Sequence, residues 1–262
     1  VLKVPPRELN WERGAWKLQW PGDNKGLYQP KNAKDSCGFG LIAHLRGEAS
    51  HRLVRTALTA LDRMTHRGAI AVDGKTGDGC GVLMALPRDF FRAVAQEVGI
   101  WLGENFAVGL VFLDQDEAVA DRSRAILTRH LEDEMLEVAG WRKVPTDISV
   151  LGQLAAESLP RIEQVFVNAP PGWSQQDIER RLFVARRLAA AENAALDQPD
   201  ETYHVATLSN LVTVYKGLVM PANLPEFYLD LKDERLASSI CVFHQRFSTN
   251  TLPNWKYAQP FR

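Results

Sequence analysis

The stretch Asp35-Ser36-Cys37-Gly38-Phe39-Gly40-Leu41-Ile42-Ala43 combines a cysteine with a short apolar run. The apolar run, residues 39–43, is too short for a helix and predicts a buried strand. Gly38 and Gly40 lack a Cβ, so a ligand or another strand can approach the backbone closely. Cys37 should therefore begin a core strand with open space beside it, which suits a nucleophile. On these nine residues alone a structural cysteine is the better interpretation, because most cysteines are buried or inert.

Length and composition are those of an ordinary globular protein. The 262 residues are 45% hydrophobic and 24% charged with a net charge of -1, so no overall field favours nucleic acid or an anionic membrane. The three cysteines are too few and too scattered for a disulfide framework or a zinc site. No apolar run approaches the ~18 residues of a membrane helix, and residues 1–6 lack the apolar core of a signal peptide. We expect a cytoplasmic protein with a free Cys37 thiol and no nucleic-acid or membrane partner.

Residues 1–36 differ from the rest of the chain. They contain four prolines and three of the seven tryptophans, and no helical or strand period lasts more than a few residues. The tryptophans argue against simple disorder, because disordered tails are poor in aromatic residues. We therefore predict an extended leader or pro-segment over 1–36 and a body over 37–262.

Hydrophobic periodicity predicts the elements of the body. The predicted strands are 38–45, 82–86, 106–113, 162–167, 203–208, 211–215 and the first half of 239–251. The predicted helices are 50–65 with Ser50 as its cap, 90–98, 117–138, a weak 151–158, a helix capped by Ser174, and 221–229. Several strands come in pairs instead of alternating singly with helices. This pattern favours an α+β sandwich with antiparallel sheets over a doubly wound fold.

Two polar clusters raise binding hypotheses that the sequence supports only weakly. The glycine-rich turn 73–81 holds Asp73 and Asp78, but two carboxylates in a loop are weak evidence for a metal. Four arginines at 180, 181, 186 and 187 suggest anion binding. Acidic neighbours and a nearly neutral chain favour a solvated face for these arginines instead.

Three short segments, far apart in the chain, carry a resemblance to a known family. They are Cys37-Gly38-Phe39-Gly40, His66-Arg67-Gly68 and His244-Gln245-Arg246-Phe247-Ser248-Thr249. Together they resemble the class II glutamine amidotransferases, which are N-terminal-nucleophile hydrolases. Longer runs are similar to the large (α) subunits of bacterial glutamate synthases, and these cover 37–44, 66–81, 159–170 and 244–251. The resemblance extends over essentially all of 37–262.

The resemblance implies a fold and a set of partners. The fold is the Ntn-hydrolase four-layer αββα sandwich with antiparallel sheets, and 37–262 would be the N-terminal portion of the amidotransferase domain, incomplete at its C-terminus. The resemblance implies no cofactor and no metal within this segment. For a full-length enzyme of the NADPH type it implies FMN, a 3Fe-4S cluster, the remainder of the large subunit and a small (β) subunit that supplies NADPH.

The activity implied by the resemblance is that of a glutaminase. Ammonia would be released from L-glutamine through a thioester on Cys37 and transferred to 2-oxoglutarate, which gives L-glutamate. If Cys37 is N-terminal, its α-amino group, with a pKa of ~8, is a base within reach of its own sulfur. While Ser36 is attached, that nitrogen is an amide without basicity. The uncleaved chain should therefore be almost inactive.

The resemblance also implies substrate-binding residues. Arg246 matches the family arginine that holds the α-carboxylate of glutamine, a task that suits a planar guanidinium. Thr249 and Asn250 lie where family members contact the α-amino or carboxylate group, and neither His66 nor His244 has a catalytic role. The family's oxyanion hole uses an Asn-Gly pair after the Arg-Phe-Ser-Thr motif, and no such pair follows here. This leaves open whether the 262 residues are active alone.

Two other functions stay open at this point. One is a class II amidotransferase with another acceptor, such as a sugar phosphate, because the acceptor domain is not in the sequence. The other is a non-catalytic Ntn-like domain that serves assembly or regulation and retains its leader. The mass of the purified chain discriminates between them, since an enzyme processed at Cys37 lacks residues 1–36.

Overall fold

The computed structural model of the chain describes residues 36–249 and 251–261. Within these ranges eight strands form two four-stranded sheets, and all strand pairs are antiparallel. The strands are β1 Gly38–Ala43, β2 Cys80–Ala85, β3 Phe106–Leu113, β4 Glu137–Lys143, β5 Arg161–Asn168, β6 His204–Ser209, β7 Val212–Gly217 and β8 Ile240–Gln245. This confirms the predicted α+β fold with antiparallel sheets.

Six α-helices accompany the sheets in the described part of the chain. They are α1 His51–Asp62, α2 Arg88–Glu97, α3 Glu117–Asp133, α4 Gln153–Glu157, α5 Gln175–Ala194 and α6 Leu224–Phe227. Short 3-10 turns cover Thr65–Arg67, Ile148–Val150, Pro221–Asn223, Leu229–Lys232 and Trp255–Tyr257. None of the described helices is long and apolar enough to cross a membrane.

The first sheet has the order β1-β8-β2-β7, so β8 lies between the first two strands. Gln245 at the end of β8 is opposite both Gly38 and Cys80, and the three strand ends meet at one edge. A Cβ on Gly40 would come within 2.4 Å of the Phe243 ring. Glycine at position 40 therefore lets β1 lie close to β8 under that ring.

The second sheet has the order β4-β5-β3-β6, and β3 shows how the layers are held together. All eight β3 residues are buried. Its even-numbered residues belong to the apolar cluster that includes the first sheet and α1. Most of its odd-numbered residues belong to the cluster formed with α3 and α5. The period of two thus places apolar residues on both faces of the strand, as expected for a sheet covered on both sides.

Three details of the predicted elements were wrong. Strand β1 is an edge strand in which Phe39 and Leu41 are exposed, and not the buried core strand that the apolar run predicted. Helix α3 ends at Asp133 and not at Val138, because Met135 has a φ of 63° and the chain then enters β4. Val138 pairs there with Val167 of β5. Cys80 lies within β2 and not in the glycine-rich turn before it.

The predicted caps are confirmed. The Leu53 N–H donates to Ser50 Oγ at 3.2 Å, and the Asp177 N–H donates to Ser174 Oγ at 3.1 Å. Each bond satisfies one of the first backbone donors of a helix, which explains where α1 and α5 begin. The predicted leader, apart from Ser36, and the predicted binding residue Asn250 lie outside the described residues.

Candidate active site

Cys37 immediately precedes β1, and its sulfur lies against the backbone that follows β8. The Phe247 N–H donates to the Cys37 Sγ at 3.4 Å, and the thiol lies 3.8 Å from the Phe247 carbonyl oxygen. The two residues are 210 positions apart in the chain. Pairing of Gly38 with Gln245 brings them together. The thiol is only partly buried, so an incoming molecule can reach it.

Arg246, the next residue after β8, is a nearly buried cation. The residue as a whole is only 6% exposed. In the described residues its guanidinium donates to the Asp78 carbonyl oxygen at 3.4 Å and to Thr251 Oγ1. Both acceptors are uncharged. A buried guanidinium without an anionic partner is unfavourable, so this position suits an anionic group of a bound molecule.

Asp78 fixes the segment that carries these groups. Its Oδ2 accepts a hydrogen bond from the Ser248 N–H at 2.5 Å, and the Arg246 N–H donates to the Gly79 carbonyl oxygen at 2.8 Å. The glycine-rich turn therefore holds the backbone on both sides of Phe247. The function of Asp78 in the described structure is to anchor this segment.

Buried polar atoms without partners collect around the same strand end. In the described residues no hydrogen bond reaches the side-chain amide of Gln245, the Ser248 Oγ or the His244 Nδ1. Burial, followed by the charge of Arg246, lowers the pKa of His244 and keeps its imidazole neutral. Buried polar groups normally find a partner. Four such atoms thus lie within residues 244–248, the segment that contacts Cys37.

Arg67, from the motif His66-Arg67-Gly68, lies against the two neighbours of Cys37 in the chain. Arg67 Nη2 donates to Ser36 Oγ at 2.6 Å. A Cβ on Gly38 would come within 2.9 Å of the Arg67 Cβ. Arg67 thus contacts Ser36 and packs closely against Gly38, the residues on either side of Cys37. His66 is exposed.

The predicted binding residues are only partly brought together. Arg246 lies one residue from the backbone that contacts Cys37, whereas Thr249 is exposed. Thr251, which was not predicted, is the threonine that contacts Arg246. Thr251 and Asp78 both fall in the runs that resemble the family. The resemblance of those runs to the family could have indicated both residues. Resemblance alone does not show which side chains are in contact.

The other two cysteines are core residues. Cys80 and Cys241 have no exposed surface. Burial raises the pKa of Cys80 far above its ordinary value and that of Cys241 to about 12. Both thiols therefore stay protonated at neutral pH, which makes them unreactive.

The aspartates considered as metal ligands instead accept hydrogen bonds that stabilise the backbone. Asp73 accepts hydrogen bonds from Thr76 Oγ1 at 2.6 Å and from the Lys75 N–H at 3.0 Å. These bonds, with the Thr76 side chain first, hold the pKa of Asp73 well below its usual range. Among residues 36–249 and 251–261 no group of three His, Cys, Asp or Glu side chains is arranged to hold a metal ion.

Comparison with known proteins shows the family and agrees with the fold. The family model "Glutamine amidotransferases class-II" matches residues 37–262. The chain belongs to the class II glutamine amidotransferases. The match begins at Cys37.

Glutamate synthases are among the curated relatives. The ferredoxin-dependent glutamate synthase of Oryza sativa subsp. japonica is 38% identical over 264 residues, which is 100% of this chain and 16% of that protein. The NADPH glutamate synthase large chain of Bacillus subtilis is 38% identical over 239 residues, or 91% of this chain and 16% of that protein. The corresponding chain of Azospirillum brasilense is 37% identical over 237 residues, with 90% and 16% covered. The chain thus spans about a sixth of the length of these relatives.

Proposed function

We propose that this chain is the glutaminase part of a glutamate synthase, with Cys37 as its nucleophile. The observation that carries the proposal is the contact of the partly exposed Cys37 sulfur with the Phe247 backbone, directly after Arg246 in the chain. The guanidinium of Arg246 is buried and has no anionic partner in the described residues. L-Glutamine has an α-carboxylate that can pair with the guanidinium and a side-chain amide that the sulfur can attack. The family match and the relatives support this assignment.

The reaction proceeds through a thioester. Removal of residues 1–36 converts the Cys37 nitrogen into a free amine, which takes the thiol proton. The sulfur attacks the amide carbon of the glutamine side chain, the C–N bond breaks, and the protonated amine delivers its proton to the departing ammonia. Water then hydrolyses the thioester, which releases L-glutamate and restores the thiol. The Phe247 N–H at 3.4 Å from the sulfur stabilises the negative charge that develops there.

Three residues hold the amino-acid end of the substrate in this proposal. Arg246 binds the α-carboxylate through its planar fork. Thr249 and Asn250 contact the α-amino or carboxylate group. The Asp78–Ser248 hydrogen bond supports this role for Thr249, because it fixes the residue before it.

In the whole protein the ammonia is transferred to 2-oxoglutarate. The proposal places FMN, a 3Fe-4S cluster and the synthase chemistry in the remainder of the large subunit. When bound, these groups supply the electrons that reduce the condensation product to L-glutamate. We assign NADPH, delivered through a small (β) subunit, as the electron source, and the cytoplasm as the location. The relatives include both NADPH and ferredoxin-dependent glutamate synthases, so comparing the two donors tests this assignment.

Intact-mass analysis of the full-length protein tests the nucleophile. We expect a mature chain that starts at Cys37, releases ammonia from glutamine, and carries one adduct on Cys37 after reaction with diazo-oxonorleucine. A variant that cannot lose residues 1–36 should release almost no ammonia. Equal glutaminase activity with and without these residues would contradict the free-amine mechanism. An adduct on Cys80 or Cys241 would contradict the assignment of Cys37.

A further inference from the structure

The two hydrogen-bond acceptors of the Arg246 guanidinium come from two segments that are far apart in the chain. The Asp78 carbonyl oxygen lies in the glycine-rich turn, and Thr251 lies in the segment 251–257 that follows β8. Neither acceptor residue belongs to a strand or a helix. The position of each acceptor therefore depends on the contacts that the rest of its segment makes.

Helix α4 holds the glycine-rich turn through two side chains. The Ala155 N–H donates to Thr76 Oγ1 at 3.1 Å, and the Leu154 N–H donates to Asp73 Oδ2 at 3.2 Å. The two side chains are also linked to each other, because Thr76 Oγ1 donates to the same Asp73 oxygen at 2.6 Å. A Cβ on Gly152 would come within 2.4 Å of Thr76 Oγ1. The residue before α4 thus lies directly against the turn.

The same helix also holds the second segment. Trp255 Nε1 donates to the Ala155 carbonyl oxygen at 3.2 Å. Thr76, Ala155 and Trp255 are all buried, so loss of one of these bonds would leave a buried polar group unsatisfied. The N–H and the carbonyl of one residue, Ala155, therefore connect the two segments that supply the acceptors of Arg246.

The backbone between Thr76 and Asp78 is fixed by further hydrogen bonds. The Ala71 N–H donates to the Thr76 carbonyl oxygen at 2.8 Å, and the Asp78 N–H donates to the Ala69 carbonyl oxygen at 3.2 Å. Because these bonds leave the short stretch little freedom, a shift of Thr76 also moves the Asp78 carbonyl oxygen. That oxygen is one of the two acceptors of Arg246.

We propose that Thr76 is a positioning residue for glutamine binding and that it acts through Ala155 and Arg246. The inference rests on the proposed function, in which Arg246 binds the α-carboxylate. The two uncharged acceptors set the direction of the buried guanidinium. Binding of a carboxylate by two parallel hydrogen bonds depends on that direction. Thr76 itself does not contact the substrate.

Replacement of Thr76 by valine tests the proposal in the processed protein. Valine keeps the shape of the side chain but lacks the hydroxyl that bonds Asp73 and Ala155. We expect KM for glutamine to rise about five- to tenfold with little change in kcat. Thr76→Ser keeps the hydroxyl and should retain the wild-type KM. In an Arg246→Lys background Thr76→Val should raise KM much less, because both changes affect the same binding contact.

Ser123→Ala is the matched control for a general loss of stability. Ser123 is also buried, and its hydroxyl donates to an Asp200 oxygen at 2.9 Å. The control therefore loses the same kind of bond, on α3, whose apolar residues pack against the second sheet. Both variants should lower the melting temperature, but only Thr76→Val should raise KM. An unchanged KM in Thr76→Val, or an equal rise in both variants, would overturn the proposal.

Hydrogen exchange distinguishes failure of this inference from failure of the proposed function. Without glutamine, Thr76→Val should speed exchange of the Arg246 and Ser248 amides, whose hydrogen bonds end on the glycine-rich turn. Ser123→Ala should leave both amides at the wild-type rate. A wild-type protein that releases no ammonia from glutamine would contradict the proposed function. Wild-type exchange of both amides in Thr76→Val would contradict the positioning role, whatever the activity.

Discussion

The side-chain amide of Gln245 occupies the place where a β-carbon on Gly68 would lie. An ideal Cβ at position 68 would be 1.7 Å from Gln245 Nε2 and 2.6 Å from its Cδ. Gln245 has no exposed surface, so its side chain cannot move into solvent. The glycine of the His66-Arg67-Gly68 motif is therefore required by packing against the strand that precedes Arg246.

This contact predicts that Gly68→Ala is destabilising. Overpacking at a buried position should lower the free energy of unfolding by about 1–3 kcal/mol, which urea denaturation measures. Gly103→Ala is the control, because the nearest atom to its Cβ would be 3.7 Å away. The control should change stability by less than about 0.5 kcal/mol. Equal midpoints for the two variants would show that Gln245 moves aside freely.

Replacement of Arg246 by lysine should weaken glutamine binding. Lysine keeps the charge but loses the planar fork that binds a carboxylate with two hydrogen bonds. We expect KM for glutamine to rise on the order of tenfold, with a smaller change in kcat. Steady-state ammonia release by the processed protein measures both. Arg235→Lys, at an exposed ion pair with Asp233, should leave KM unchanged, and an unchanged KM in Arg246→Lys would remove Arg246 from the binding site.

The three cysteines should differ sharply in reactivity. Iodoacetamide should modify Cys37 in the native protein, because its sulfur is only partly buried. Cys80 and Cys241 should stay unmodified until urea unfolds the chain, since both are buried and their thiols stay protonated. Peptide mass spectrometry before and after unfolding measures this order. Modification of Cys241 at the native rate of Cys37 would show that the first sheet opens readily.

Buried Lys216 predicts a dependence of stability on pH. Burial lowers its pKa from 10.5 to about 7 in the folded protein. Between these values the unfolded chain binds more protons than the folded chain, so stability should rise as pH increases from 7 to 10. Relative to Lys216→Met, the wild-type protein should gain about 2–4 kcal/mol over this interval.

Urea denaturation of both proteins at pH 7 and pH 10 measures the gain. The methionine variant keeps the length of the side chain and lacks the titrating group, so it corrects for all other groups. Parallel curves for the two proteins would mean that Lys216 titrates at its ordinary pKa.

Local features of the fold were predictable because their causes are local. The apolar run of β3 and the serine caps of α1 and α5 involve neighbouring residues only. Strand β4 was missed because its residues are mostly half-exposed and its register shifts at Gly140. Pairing with β5, and not any pattern within the segment, makes it a strand.

The site was predictable in part for a different reason. Cys37 and Arg246 stood out through the family resemblance, although no local pattern links them. The contacts of Asp78 with Ser248, and of Gly68 with Gln245, join segments that are distant in the chain. Such contacts depend on the order β1-β8-β2, which only the assembled sheet reveals.

The separation of Cys37 and Phe247 along the chain also determines how late in protein synthesis the two residues can come into contact. The 210 positions that separate them take about 10–40 s to translate at ~5–20 residues per second. During that interval the strand that follows the thiol has no β8 with which to pair. The ribosome therefore makes most of the described chain before the sulfur can meet Phe247. Under the function proposed above, the nascent chain cannot attack glutamine until residues 246 and 247 have been made.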